Sequence, residues 1–306
     1  MATNTVVRRL LRPPRRPAGR KLAMRRSATL RESVLLAFAR TLRYARRTAR
    51  DAGTDPEEAV HEYRKSIRRA RAVVALLRPA LGRRAAAGIG GELRRAFAET
   101  GALRDADVLL ETLRLVPGED PTRTEIEEAL GRERSEEGAG AAVKALEAGS
   151  LILKPLAESL RVVLPATFSM EDLDRGLTRS VRRVQETLET AARTRTDADF
   201  HDWRKRVKEL RYQVEMLASS GSAALRRREK ALSALAEDLG ETTDLILLEA
   251  ALARRMATGT MPDAPALTGA IHAMVAERTA ALIARGQETF SEPPGALARQ
   301  ILAERG

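Results

Sequence analysis

Two short segments of the 306-residue chain concentrate the side chains best suited to chemistry. Residues 60–77 read VHEYRKSIRRARAVVALL, and residues 200–217 read FHDWRKRVKELRYQVEML. Both follow H-x-x-R-K-x-x-[RK]-x-x-R, which gives His61, Arg64, Lys65, Arg68 and Arg71 in one segment and His201, Arg204, Lys205, Lys208 and Arg211 in the other. Arginine offers a planar fork of donors to an oxyanion, and lysine a compact charge. A histidine beside four cations is expected to be neutral near pH 7 and to act by hydrogen bonding as much as by charge. The chemistry implied is the capture of a multiply charged anion.

Catalysis has less support. A histidine could be phosphorylated or act as acid and base. There is no Gly-rich phosphate loop and no paired-carboxylate metal site, and Asp105 with Asp107 is a weak pair on a turn or helix start. The absence of Cys excludes thiolate chemistry and disulfides, and three His (61, 201 and 272) make a multi-His zinc site a poor fit. No catalytic residue, metal or cofactor is assigned, and His272 is given no role.

The elements that must position these side chains are helices. Ala, Leu, Arg and Glu dominate from residue 30 onward, and alternating β-branched strands are absent. Breaks are expected at 51–56, 79–91, 117–121, 164–170, 194–199, 219–223, 258–265 and 291–295. Thr54 and Glu57 frame a capping box with Pro56, and Thr196 with Asp199 does the same for the second segment. On a helical wheel, Tyr63, Ile67, Ala70, Val74 and Leu77 share one face, as do Trp203, Val207, Leu210, Val214 and Leu217. The basic positions lie opposite. Glu62 and Asp202 lie off each stripe, so the expectation is that they leave it uncancelled. Like charges at i,i+3 and i,i+4 repel by a few tenths of a kcal/mol per pair, so such a stripe invites an anionic partner.

The offset between the segments is 140 residues, and a second match follows, 93–110 with 232–250. Internal duplication is the simplest account. The expected architecture is all-α: two pseudo-symmetric antiparallel helical bundles of about four helices each, over 30–165 and 166–306, with a basic groove or pore between them.

Composition bounds the rest. There are 54 Lys+Arg against 42 Asp+Glu, a formal charge of +12, yet residues 1–31 alone hold ten basic and no acidic side chains. The first 29 residues therefore read as a basic, disordered arm able to attract DNA weakly, or as a mere solvated leader. The arm is a poor signal peptide and no apolar run could span a membrane, so a cytoplasmic protein is expected. Arg43 and Arg47, with Arg40, line the helix before the first stripe, and Arg183, with Arg179, the helix before the second. Arg104 is matched to an ion pair or cap with Asp105, and the run Arg226, Arg227, Arg228 and Lys230 to solvated surface.

The two H-x-x-R segments, the K-x-L-R-Y of the second (Lys208, Leu210, Arg211, Tyr212) and the turn with Gly101, Arg104, Asp105 and Asp107 resemble the CHAD family, the conserved histidine α-helical domain. The resemblance covers about residues 30–306. It implies two pseudo-symmetric four-helix bundles with a basic groove or pore, binding of inorganic polyphosphate, and association with polyphosphate granules. It carries the binding positions onto His61, Arg64, Arg68, Arg69, Arg71, His201, Arg204, Lys205, Lys208 and Arg211. Glu209 stands where the first copy has Arg69, and Thr243 and Ile246 depart from the turn motif. Many relatives resemble fusions to a triphosphate tunnel enzyme. No E-x-E-x-K strand occurs here, so the expectation is a stand-alone version.

The residues themselves leave four functions in competition: non-catalytic polyphosphate binding, nucleic-acid binding, phosphate-metabolism catalysis, and a scaffold for acidic proteins. Nucleic acid fits the charge but not the nine aromatic residues, since Tyr63 and Trp203 fall on the apolar faces and few platforms remain for bases.

Overall fold

The computed structural model describes residues 29–100, 105–118, 121–134, 139–218 and 222–305. The expected arm and the 101–104 turn lie outside them. The described residues form eleven α-helices, one 3-10 turn and no strand. The helices are α1 (Leu30–Arg50), α2 (Pro56–Ala98), α3 (Asp105–Leu113), α4 (Arg123–Arg134), α5 (Ala139–Leu153) and α6 (Leu156–Val163). They continue with α7 (Met170–Thr194), α8 (Asp197–Ala218), α9 (Ala223–Ala257), α10 (Pro265–Thr289) and α11 (Pro294–Ala303). The protein is all-α, as expected.

Local signals explain most boundaries. Thr29 Oγ1 accepts from the Glu32 N–H at 3.2 Å while Glu32 accepts from the Thr29 N–H at 3.0 Å, so α1 opens on a complete capping box. At α2 the cap is Asp55, one residue later than expected, accepting from the Glu58 N–H at 3.1 Å with Pro56 in the first turn. Thr196 and Asp199 cap α8 as expected.

The expected break at 79–91 is a single kink. Pro79 has no N–H to give to the preceding turn, and Gly82 takes φ 76° and ψ 166°, a conformation open to glycine. Helix resumes at once, because Leu81, Ala86, Ile89, Leu93 and Ala96 bury one face and packing overrides the cost of Gly88, Gly90 and Gly91. Where no break was expected, α5 and α6 are parted by a turn at Lys154 and Pro155.

Both apolar faces are buried as the wheel requires. Tyr63, Ile67, Ala70, Val74 and Leu77 are buried, as are Trp203, Val207, Leu210, Val214 and Leu217. They contribute to one large core built from α1, α2, α5 to α9 and α11, with Leu282 and Ile283 of α10. A second, smaller core joins Leu110, Leu113, Ile126 and Leu130 to Leu245, Leu248, Leu252, Leu267 and Ile271. Both cores draw on residues before and after position 165.

The helices that carry the basic segments, α2 and α8, pack directly on each other. The buried Arg69 guanidinium grips Glu215 through two hydrogen bonds of 2.7 and 3.2 Å, and Gln213 Nε2 donates to the Ala72 carbonyl at 3.1 Å. These contacts fix how the two basic faces meet.

Candidate functional site

The site builds outward from that crossing. Lys208 on α8 is half-buried and makes no hydrogen bond or ion pair among the described residues. Burial, then Arg204 and Arg68, and least of all Arg211, pull its ammonium down to about 7, against an opposing pull from Asp244 that exceeds the share of Arg211. Arg68 belongs to α2, so the stripes of the two helices meet at this point. Their meeting residues are equivalent members of the repeated segment, 140 positions apart.

Contacts from the far end of α2 itself and from α9 hold the arginines in place. The Arg64 guanidinium lies 4.0 Å from the Phe97 ring centre and donates to the Thr100 carbonyl, and Arg68 lies 5.1 Å from the same ring. Arg204 reaches Asp244 on α9 at 3.8 Å. Gly240 makes room for it, since a Cβ there would stand 3.3 Å from Arg204 Nη2. Arg211 pairs with Glu229 at 3.3 Å and lies 5.1 Å from the Tyr212 ring centre. His201 is half-buried, and burial with Lys205 and Arg204 holds its imidazole below the usual range, which favours the neutral ring expected at pH 7.

Some expected residues point elsewhere. Lys65 binds Glu62 at 2.8 Å and Lys205 binds Asp202 at 2.9 Å, so the two acids do cancel part of each stripe, contrary to the sequence expectation. The wheel put these acids off the stripe, but an i,i+3 reach is enough to close the pair. Burial opposes it, yet the Lys65 hydrogen bond and charge hold the Glu62 carboxyl below its usual value, and the Tyr44 hydroxyl also donates to Glu62 at 3.2 Å. Arg69 is buried against Glu215, occupied in joining α2 to α8 rather than turned toward Lys208. Arg43 is exposed on α1, and Arg47 is exposed and paired with Asp51 at 3.4 Å. His61 is half-buried at the N-terminal end of its stripe.

Arg71 belongs to a second cluster. Its guanidinium is pulled down by burial and by Arg94 and Arg206, with Glu209 opposing. Arg183 is held down by burial and by Arg206, Arg179 and Arg78, and lies 4.0 Å from Glu209. Glu209, which replaces the Arg69 of the first copy, thus sits as a carboxylate among arginines from α2, α7 and α8.

Phe97, Glu215 and Asp244 were not singled out as site-builders by sequence reasoning. Phe97 had a signal: it is one of nine aromatics and lies just before the repeated turn. Asp244 aligns with Asp105, the acid of that turn. Glu215 had none, because its partner is 146 residues away. Outside the site, Arg228 of the expected solvated run pairs with Glu304 at 2.9 Å, and His272 pairs with Glu249 at 2.9 Å. No cluster of three or more metal-ligating side chains occurs among the described residues, and no described helix is long and apolar enough to cross a membrane.

A family model for the CHAD domain matches residues 33–253. The structure is similar to the crystal structure of the CHAD domain from the plant Ricinus communis, with a TM-score of 0.66 and 22% identity over 89% of this chain and 95% of that one. At that identity the likeness establishes the fold. No curated protein matches the sequence.

Proposed function

The chain belongs to the CHAD-domain family, and from that premise we propose that it binds inorganic polyphosphate without turning it over, through the cations gathered where α2 crosses α8. The observation that carries this reading is Lys208. A half-buried ammonium with no carboxylate of its own, hemmed in by Arg68, Arg204 and Arg211, is an electrostatic debt that an anion with closely spaced charges would settle. Arg64 and His201 flank the cluster, and the Arg71 and Arg183 group extends it along α7. The paired faces of a duplicated helix would then frame a groove, and the cellular site would be polyphosphate granules.

Two features favour phosphate over bases. The Phe97 ring is occupied by Arg64 and Arg68, and Tyr212 is buried, so neither offers a stacking platform for a nucleobase. Polyphosphate needs no platform, only repeated charge. Metal-free binding without hydrolysis is the corresponding expectation for the chemistry.

Competition binding tests the proposal. Labelled long-chain polyphosphate is displaced by unlabelled polyphosphate or by single-stranded DNA of equal phosphate count, at low and near-physiological salt. The variants are Arg68→Ala with Arg204→Ala and Lys208→Ala, and a chain lacking residues 1–29. Polyphosphate should win at near-physiological salt, lose most of its affinity in the triple variant, and keep it without the arm. Equal displacement by DNA, or loss of binding with the arm alone, refutes the proposal.

A further inference from the structure

A cavity of about 340 Å³ lies among α8, α9, the end of α10 and α11, and none of the cations assigned to the crossing lines it. Its floor is apolar. Leu210, Leu232, Phe290, Leu297 and Ile301 form it, and all five are buried. Its rim is polar. Arg227, Arg228 and Glu304 stand there, with Thr289, whose hydroxyl is spent on the Arg285 carbonyl at 2.7 Å.

The rim charges do not cancel. Arg228 grips Glu304 through two hydrogen bonds, one of 2.9 Å from its Nε. The Arg228 hydrogen bond, against burial, holds the Glu304 carboxyl below its usual value, with help from the charges of Arg228 and Arg227, so it stays ionised. With that pair closed, one net positive charge remains. It belongs to Arg227, which is exposed and makes no hydrogen bond or ion pair of its own among the described residues.

A buried apolar floor below one uncommitted guanidinium suits a molecule with a tail and a single negative charge. Size narrows the class further. At roughly 30 Å³ for each water-sized group, the cavity takes about ten such groups. We propose that it binds a medium-chain aliphatic monocarboxylate, with the tail on the five apolar side chains and the carboxylate on the planar fork of Arg227. A polyanion would leave the floor unused, and a cationic amphiphile of the same length would meet the repulsion of Arg227.

The experiment is titration calorimetry of the full chain with decanoate at pH 7.5, below the concentration at which it forms micelles. One site is expected, with a negative change in heat capacity. Affinity should rise by about two- to fourfold for each methylene from hexanoate to decanoate. Decyltrimethylammonium should bind at least about tenfold more weakly than decanoate. Arg227→Gln removes an exposed side chain's charge and should cost about tenfold. Ala231→Phe places a ring in the cavity from an exposed rim position and should abolish binding while the melting temperature stays near that of the wild type. Decanoate binding that is absent, that is indifferent to chain length, that survives Ala231→Phe or that the cationic amphiphile matches overturns the inference. Sedimentation is measured alongside. Self-association of the wild type that Ala231→Phe breaks would make a second copy of the chain the occupant, and would also overturn it.

Discussion

If polyphosphate binds at Lys208, it must bring a proton with it. In the free protein the ammonium is held down to about 7 by burial and by Arg204, Arg68 and Arg211. An anion seated against the ammonium attracts it, offsetting both burial and the arginines' repulsion, and moves it toward the ordinary lysine value of about 10.4. The sign follows directly. Below pH 7 the lysine is already charged and binding needs no proton. Above pH 7 each unit of pH makes the charged, binding-competent form about tenfold scarcer, so affinity falls. Between pH 7 and pH 9 the loss works out at about fifty-fold, if the bound ammonium regains its full ordinary value. His201 does not confuse this window, because its imidazole is held below its usual range and is already neutral there. The assay is fluorescence competition with long-chain polyphosphate, whose internal phosphates carry a fixed charge over this range, at constant ionic strength. Lys208→Arg keeps a charge at every pH and should flatten the profile, binding at pH 9 more tightly than wild type. Lys208→Met should bind weakly and also show a flat profile. A fifty-fold slope that survives in Lys208→Arg would refute the reasoning, since the proton would then be taken up elsewhere. The same group acts oppositely on folding. The depressed ammonium penalises the free folded chain most below pH 7, and that penalty lifts as pH rises toward the unfolded value of about 10.4.

The remaining predictions concern separate parts of the same crossing. Glu215→Gln leaves the buried Arg69 guanidinium without its counter-charge and should cost about 3–5 kcal/mol in urea denaturation, whereas joint replacement of Arg69 and Glu215 by apolar residues should cost much less. A loss below about 1 kcal/mol in the single variant would mean that the pair is well solvated. Arg68→Ala should weaken polyphosphate binding and lower the slope of log affinity against log salt by about one unit, while Arg47→Ala, exposed on α1, should leave that slope unchanged. Gly240→Val fills the space occupied by Arg204 and should weaken polyphosphate binding with little change in melting temperature; a large stability loss with intact binding would contradict the positioning role given to Gly240.

Much of this was legible in the residues because helices write their faces at a period of 3.6. Tyr63, Ile67, Ala70, Val74 and Leu77, and their counterparts from Trp203 to Leu217, could be assigned to the core from spacing alone, and burial agrees for all ten. The stripe positions followed as the complement of that face. What spacing does not encode is partner choice. Arg68 and Arg69 are adjacent in the sequence, and both were candidates for the site. One helps to surround Lys208, whereas the other is buried against Glu215, a difference decided by the packing of α2 on α8. Lys65 and Lys205 were placed on the stripes correctly, but long side chains reach across a turn, and Glu62 and Asp202 capture them. The 79–91 region misleads for a related reason. Its glycines signal weak local propensity, and the buried row from Leu81 to Ala96 outweighs it.

The smaller of the two cores bears on the order in which the molecule can be made. Leu110, Leu113, Ile126 and Leu130 leave the ribosome early, but Leu245, Leu248, Leu252, Leu267 and Ile271, which cover them, are synthesised more than a hundred residues later. At a translation rate of about 5–20 residues per second, α3 and α4 wait many seconds with their apolar faces uncovered. Those two helices therefore keep apolar surface exposed until α9 and α10 emerge, and a pause before α9 would lengthen the exposure.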